Sequence, residues 1–417
     1  MTGLFNLLVL GLLAQSSAAP GALTLDQAIA EALKAEPGLA ASRAERDAAQ
    51  ADRRQAAARP NPEMSFEQRE QTGGPDRQTS IGVEFPLDAF RRGPRRDAAE
   101  AGAARADATL QDRERMLVAA VRTRYGEALE AARRLEVMDA VTGAARRTYD
   151  LLANRVTEGA SPPLDRDLAL VELRRLEGER ALASGRASMA LTALNVALGR
   201  TPSSPLTLGD SLESLVTGKA DASTPSGDMR ADVREAAADV EAARAGTRLA
   251  EQDRKPELSV FGGYMRMDQG FPQIGLSPSG VPEPIHGVFH NVSAGVTVSL
   301  PLFNRGQGSV AAAKSREIVA AQVLASRQLA AAGEIEGARV RLDAARRALA
   351  FYEGDTRASA RRNVDVVRET YSLGRATLFD VLAEQRRFLD FEAAYLGALS
   401  ETFTALTELN RARGVSK

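Results

Sequence analysis

The sequence predicts a mostly α-helical protein with a β-barrel contribution, built as one unit of helix, two strands, very long helix and long helix written twice. Three observations predict this. Motifs recur at one constant offset, long stretches run without proline, and two pairs of short runs alternate apolar with small or polar residues.

The repeat comes first because it organises the rest. Phe85-Pro86-Leu87 matches Leu300-Pro301-Leu302, and 301 − 86 = 215. Gly159-Ala-Ser-Pro-Pro-Leu-Asp165 matches Gly374-Arg-Ala-Thr-Leu-Phe-Asp380, and Leu191 to Gly199 matches Leu406 to Gly414, both again offset by 215. A constant offset over such a length implies an ungapped helical register in both copies. Upstream, Pro60 pairs with Pro256 at an offset of 196, so the second copy carries 215 − 196 = 19 extra residues. A length change of that kind belongs in a loop. The expected organisation is a signal peptide over 1–19, a first repeat over 20–200, a linker over 201–227 rich in Pro, Ser, Thr and Gly, and a second repeat over 228–417.

The signal peptide is read from the short apolar run Leu4 to Leu13, followed by small residues that allow cleavage near Ala18 or Ala19. That run is too short to cross a bilayer as a helix. Thr24 is a plausible N-cap for a first helix running to Arg59, where Pro60-Asn61-Pro62 stops it. From Pro94 to Thr157 no proline interrupts a helical pattern, a rod of about 96 Å at 1.5 Å per residue. The last helix repeats at sevens: Leu382, Leu389, Leu396 and Phe403 in one column, Val381, Phe388, Tyr395 and Leu409 in a second, Leu378, Leu399 and Leu406 in a third. Such a period makes helices supercoil against neighbours.

Composition narrows the function. The net charge is −1 and charged residues of both signs, 26% of the chain, are mixed along it. No nucleic-acid partner and no overall pull toward anionic lipid are expected from that balance. Cysteine is absent, which excludes disulfides, thiolate metal sites and an acylated cysteine. Neither a phosphate-binding glycine loop, nor a nucleophile with its base, nor a cofactor fingerprint occurs, so neither enzyme activity nor a cofactor is expected. His286 and His290 stand near Glu283, but Pro282 and Pro284 argue for an irregular loop there rather than a metal-binding helix.

The strands carry the membrane argument. Val292, Ala294, Val296, Val298 and Leu300 alternate with Ser293, Gly295, Thr297 and Ser299; Ile81, Val83 and Phe85 alternate with Ser80, Gly82 and Glu84. Glu63 to Glu70 and Leu258 to Met267 are their weaker partners, joined through Gly73-Gly74-Pro75 and the longer Gly270 to Gly287 segment. Alternation over about ten residues suits a barrel wall with lipid outside and water inside, which makes Val292, Val296, Val298, Leu300, Ile81, Val83 and Phe85 the candidate lipid-facing set. A solvent-exposed pair of hairpins is the simpler alternative. Four strands cannot close a barrel and open edges are intolerable in lipid, so the chain must share its strands with copies of itself. Two copies supply eight strands and three supply twelve; very long helices wrapping a matching tube favour three, in cyclic symmetry.

These features resemble the TolC family of outer-membrane efflux proteins. The carriers are Leu23 to Leu33, Arg59-Pro-Asn-Pro62, Phe85-Pro-Leu87, Leu300-Pro-Leu-Phe303, Tyr371 to Leu382, and Leu406 to Gly414. Arg59-Pro-Asn-Pro62, Phe90-Arg-Arg-Gly93 and Arg155 to Pro162 are more similar to the CzcC-like heavy-metal branch than to the drug branch. The resemblance implies a trimer with a twelve-stranded transmembrane barrel, embedded in outer-membrane lipid and continued by a long periplasmic helical barrel. It implies a periplasmic adaptor and an inner-membrane pump of RND type as partners. It makes the turns Gly159 to Asp165 and Gly374 to Asp380 the periplasmic tips, with Gly159, Gly374 and Leu378 docking the adaptor. Asp380 and Asp165 would then form a carboxylate ring at the entrance, or simply cap their helices. Tyr371, Arg375, Arg155, Arg166 and Glu158 would latch neighbouring helices. Two positions depart from the family pattern, Ala383 for a second tip aspartate and Ala376 for a gating arginine. The basic cluster Arg91, Arg92, Arg95 and Arg96 past a strand reads either as a headgroup contact or as a solvated helix start. A periplasmic coiled-coil adaptor or spacer, and the same channel serving drug or type I protein export, are the alternative functions.

Overall fold

The computed structural model describes residues 21–217 except 73, 75 and 89, and residues 230–414 except 253. The expected signal peptide, Gly73 and Pro75 of the first hairpin turn, and residues 218–227 of the linker lie outside the described residues. The elements are α1 (Leu25–Ala35), α2 (Pro37–Ala57), β1 (Glu63–Glu70), β2 (Arg77–Leu87), α3 (Arg92–Thr157), α4 (Pro163–Ala197) and α5 (Leu212–Thr217). They continue with α6 (Ala231–Gln252), β3 (Glu257–Leu276), β4 (Pro282–Ser299), α7 (Gln307–Ala350), α8 (Asp355–Ser372) and α9 (Leu378–Arg413).

The offset seen in the sequence recurs in the helix boundaries. α3 starts at Arg92 and α7 at Gln307, 307 − 92 = 215; α3 ends at Thr157 and α8 at Ser372, 372 − 157 = 215; α4 and α9 start at 163 and 378, 378 − 163 = 215. Along this very long helix the copies differ by one break. The second very long helix is broken at Phe351–Gly354, where Gly354 adopts φ 68°, whereas α3 continues unbroken through the matching residues 136–139. Gly354 stands as the N-cap of α8 at φ 68° and ψ −136°, a backbone region that a Cβ such as that of Asp139 would disfavour. The expected first helix is also two. Pro37 has no N–H to give, and Glu36 before it is extended (ψ 121°). The Glu36 carboxylate then accepts from the Leu39 amide at 2.6 Å, capping the new helix.

The residues form two compact units. One takes in the chain up to Ala41, Gln111–Arg230 and Leu329 onward; the other comprises Ser42–Leu110 and Ala231–Gln328. The first is centred on a buried cluster in which α1 contributes Leu25, Ala28, Ile29 and Ala32, α3 Val118, Val121, Tyr125 and Leu129, and α9 Tyr395, Leu396, Leu399 and Phe403. Thr24 forms the expected cap, in a capping box with Gln27. Residues 201–217 of the linker are folded onto this core: Leu208 bridges Leu23, and Leu206, Leu212, Leu215 and Val216 pack against the cluster. The Tyr125 hydroxyl, wholly buried, lies 2.8 Å from the Leu23 carbonyl and 2.9 Å from Asp210, whose carboxylate also accepts from the Leu25 amide at 2.7 Å. Burial first, then the Asp210 carboxylate, push the Tyr125 phenol well above its ordinary value.

The heptad columns of α9 are buried largely as expected, with Val381, Tyr395, Leu396, Leu399, Phe403 and Leu409 all buried. The gap in the Leu378–Leu399–Leu406 column is filled by Gln385 and Glu392, which are buried at the same sevenfold spacing. Glu392 is tolerated because Arg357 of α8 donates to both its oxygens at 3.0 and 3.2 Å while lying over the Tyr395 ring at 4.3 Å.

The second unit holds a four-stranded antiparallel sheet in the order β1-β2-β3-β4. β1 matches the expected strand, but β3 and β4 are longer than expected, at 20 and 18 residues. The Gly270 to Gly287 segment is not a loop: it continues the β3–β4 ladder to a turn at Ser277–Val281, where Gly280 adopts φ 80°. Its prolines are harmless because Pro272 falls at the register shift between Phe271 and Ile274, and Pro282 and Pro284 at the outermost pairs. Phe271 and Phe289 pack edge to face at 6.0 Å across it. His286 and His290 therefore lie on a strand, opposite Gly270 and Arg266, and about 13 Å apart by strand rise. His290 Nδ1 is 2.6 Å from the Tyr264 hydroxyl, and no cluster of metal-ligating side chains occurs among the described residues.

A close approach in the first core sets a test. A Cβ on Gly126 would sit 2.4 Å from the Phe403 ring, which is itself buried. Gly126→Ala gains helix propensity of about 1 kcal/mol, yet overpacking of this kind is expected to lower stability by about 1–3 kcal/mol. The thermal unfolding midpoint should fall; an unchanged or higher midpoint would show that Phe403 has room to move.

Candidate functional site

Two features can carry function: the pair of helical turns α3–α4 and α8–α9, and the face of the sheet. Each turn begins with the same stop. After α3, Gly159 at φ 72° lets the Ala160 amide donate to the Arg155 carbonyl at 2.7 Å and the Gly159 amide to Val156 at 3.1 Å. After α8, Gly374 at φ 72° repeats this with Arg375 to Thr370 at 3.0 Å and Gly374 to Tyr371 at 2.9 Å. This paired bonding is the Schellman termination, and a left-handed glycine is what it demands.

The following helix starts differ, and this decides which carboxylate is available. At the second turn Thr377 is an N-cap in a capping box: Asp380 Oδ2 accepts from the Thr377 amide at 2.8 Å and from its hydroxyl at 2.7 Å. Those hydrogen bonds, the hydroxyl's first, hold the Asp380 carboxyl below its ordinary value. At the first turn the matching residue is Pro162, which offers no side-chain cap. The Asp165 carboxylate, in the first turn of α4, makes no hydrogen bond or ion pair among the described residues, although its amide donates to the Pro162 carbonyl at 3.1 Å. The sequence pointed to Asp380 before Asp165; the structure ties one Asp380 oxygen into its helix and leaves Asp165 free.

Tyr371 joins the turns. It packs against Leu152 of α3, Ala169 of α4 and Leu378 of α9, and burial raises its phenol, with the Asp165 charge adding to the shift and Arg155 opposing it. Of the residues expected to form a latch, Tyr371 and Arg155 are close enough to interact, and Asp165, expected in the carboxylate ring, acts on the same phenol. Arg166 instead pairs with its neighbour Asp167 at 2.7 Å, while Arg375 and Glu158 are exposed and make no ion pair among the described residues. Leu378, expected to face a partner, is only 4% exposed and belongs to the internal cluster. The apolar residues that do project are Leu164 and Phe379, at 63% and 65% exposed, together with Leu373. Leu164 and Phe379 are themselves a repeat pair, 379 − 164 = 215, so their spacing is legible in the sequence.

The sheet register aligns the expected apolar residues into rows on one face. Phe66, Ile81, Tyr264 and Val292 form one row, and Met64, Val83, Gly262 and Ala294 the next. Phe85, Val260 and Val296 follow, then Leu87, Leu258 and Val298. Most of these side chains are exposed, Val292 at 84% and Met64 at 79% being extreme. Leu300, expected in this set, lies just past β4 and is also exposed. The opposite face carries Ser65, Glu67, Ser80, Gly82, Glu84, Ser259, Gly263, Ser293 and Thr297, with Phe261 facing Gly295. Both outer strands, β1 and β4, have one unpaired edge.

The chain is similar over its length to channels of known structure. It aligns with the open state of the MtrE outer membrane channel of Neisseria gonorrhoeae at a TM-score of 0.73 and 16% identity, covering 94% of this chain and 88% of that one. With the outer membrane protein VceC of Vibrio cholerae the TM-score is 0.71 at 21% identity, covering 94% and 96%. In sequence it is 26% identical over 399 residues to the cobalt-zinc-cadmium resistance protein CzcC of Cupriavidus metallidurans, covering 95% of this chain and 91% of that one. Residues 28–200 and 228–415 match the family model for outer membrane efflux proteins, and with helices, tips and apolar sheet face disposed as described, the chain belongs to the outer membrane efflux protein family.

Proposed function

We propose that three copies of this chain assemble into a passive, non-enzymatic exit duct of a tripartite pump, with twelve strands forming the transmembrane wall. The observation that carries this is the unfinished sheet: an exposed apolar face bounded by two unpaired edges. Backbone groups on those edges would each cost several kcal/mol in lipid, so neighbouring copies must pair with them. The geometry suits this. Four successive antiparallel strands leave β4 of one copy antiparallel to β1 of the next, so a cyclic ring closes without a parallel pair. Residues 1–19 act as the export signal, and 20–200 and 228–417 as the two halves each protomer contributes.

The tips serve as the entrance. Asp165 and Asp380 from three copies place carboxylates around it, favouring cations. Tyr371 with Arg155 and Asp165 latches adjacent helices, and Arg375 and Arg166 supply further charge. Gly159 and Gly374 shape the turns that meet the periplasmic adaptor, with Leu164, Phe379 and Leu373 as its apolar contacts in place of the buried Leu378. The inner-membrane partner is an RND-type pump, and similarity to CzcC supports divalent metal cations as cargo.

Three measurements test this reading. Extraction from membranes followed by native mass measurement should show a detergent-bound trimer; a monomer soluble without detergent rejects the assembly. In planar bilayers, Asp165→Asn should weaken blockade by trivalent cations more than Asp380→Asn, because only Asp165 has both oxygens free; equal or absent effects remove the carboxylate ring. Deleting the gene and challenging cells with zinc, cobalt, copper and a drug panel should sensitise them to the metals; sensitivity to drugs alone, or loss of protein export, would reassign the cargo.

A further inference from the structure

The two ends of the apolar sheet face differ in charge. Where the strands run into the helices, segments 59–63, 88–96, 252–257 and 301–306 carry eight Arg or Lys against four Asp or Glu. At the hairpin end, segments 67–79 and 265–291 carry three Arg against five Asp or Glu. An excess of four positive charges therefore lies beside the last apolar row, Leu87, Leu258 and Val298, and a deficit of two beyond the first.

Some of this charge is structural. Arg92 and Arg95 donate to the Ala57, Ala56 and Ala58 carbonyls that end α2, and Arg95 pairs with Asp88 at 2.6 Å. Arg91 pairs with Glu257. The remainder is uncommitted. Arg59, Arg96, Arg254 and Arg305 are exposed and make no ion pair or hydrogen bond through their side chains among the described residues, and Lys255 lies 5.2 Å over the Phe90 ring. Arg254 and Arg305 come from neighbouring strand ends, since a Cβ built on Gly306 would lie 3.8 Å from the Arg254 side chain. Beside them a cavity of about 280 Å³ opens between Pro60, Pro86, Phe90, Arg91 and Pro256. Exposed apolar side chains are interleaved with these cations, Phe303 at 97% and Leu302 at 62%.

We propose that this junction binds the phosphate headgroups of anionic phospholipid in the leaflet on the helical side of the membrane. The inference rests on reading the apolar face as lipid-facing. Lys255 stands three residues beyond Leu258, about 10 Å along a strand, which is within the reach of a snorkelling side chain to the headgroup level. Phe90, Leu302 and Phe303 occupy the depth of acyl chains and glycerol, and the free cations occupy that of the phosphates. Charge complementarity selects a negatively charged lipid over a zwitterionic one.

The test uses the full chain in non-ionic detergent, with phosphatidylglycerol or phosphatidylcholine added and adducts read by native mass spectrometry. Wild type should retain phosphatidylglycerol in preference. The combined variant Arg59→Gln, Arg254→Gln, Lys255→Gln, Arg305→Gln should lose that preference by about tenfold, and Arg69→Gln with Arg266→Gln at the hairpin end should not. Equal retention of both lipids, or a preference surviving the fourfold substitution, overturns the proposal. So does displacement of phosphatidylglycerol by millimolar inorganic phosphate, which would mark a free-anion site. If the chain needs no detergent, the lipid-facing reading itself fails; if it needs detergent but shows no lipid preference, only the headgroup site does.

Discussion

Hydrocarbon offers no hydrogen bonds, and this single constraint governs the rest of the molecule. One face of the sheet is apolar over four rows, so it belongs in lipid rather than water; in lipid, the free edges of β1 and β4 cannot be left bare. Completion by further copies removes the edges and encloses the polar face, whose serines, threonines and glutamates then line an aqueous passage. The duplicated helical pattern provides two matching sets of helices per chain. Assembly is thus a requirement of the backbone, not an addition to a finished fold.

Duplication gave both halves the same frame and left room for each to diverge where local chemistry differs. The Schellman stops at Gly159 and Gly374 are superimposable in their bonding because both rest on a glycine that tolerates a positive φ. The starts after them are not, because Pro162 cannot do what Thr377 does. One substitution thereby frees a carboxylate in the first half and ties one down in the second. Similarly, Gly354 divides a helix that its counterpart carries through unbroken, and Pro37 divides another. Small backbone choices, rather than changes in packing, produce the asymmetry.

The polar residues inside the helical core follow the same logic of satisfied partners. Glu392 sits in a heptad column that should hold an apolar side chain, and Arg357 and Tyr395 surround it. Tyr125 is buried with its hydroxyl shared between Leu23 and Asp210, so the segment after the N-terminal region and the linker are stitched to α3 by one side chain. Both of these buried polar groups are matched to a specific neighbour, which fixes register more sharply than apolar contact alone.

Much was legible in the chain itself. Periodicity reports directly on which face of an element is buried, so the heptads of α9, the alternation in β2 and β4 and the 215-residue repeat all survive in the structure. Proline and glycine, which act through the local backbone, placed the tips and the ends of α2 and β1. What the sequence could not decide depends on residues distant along the chain. Cross-strand pairing turned a glycine- and proline-rich stretch into the outer part of the β3–β4 hairpin and put His286 and His290 on a strand. The packing of Tyr371 against three helices buried Leu378 and left Leu164 and Phe379 outside. Only the cap at Thr377 revealed that two aspartates equivalent by repeat are unequal in availability. Spacing determines which residues share a face; whether a side chain on that face is free or occupied is settled by neighbours that only the folded chain brings within hydrogen-bonding distance.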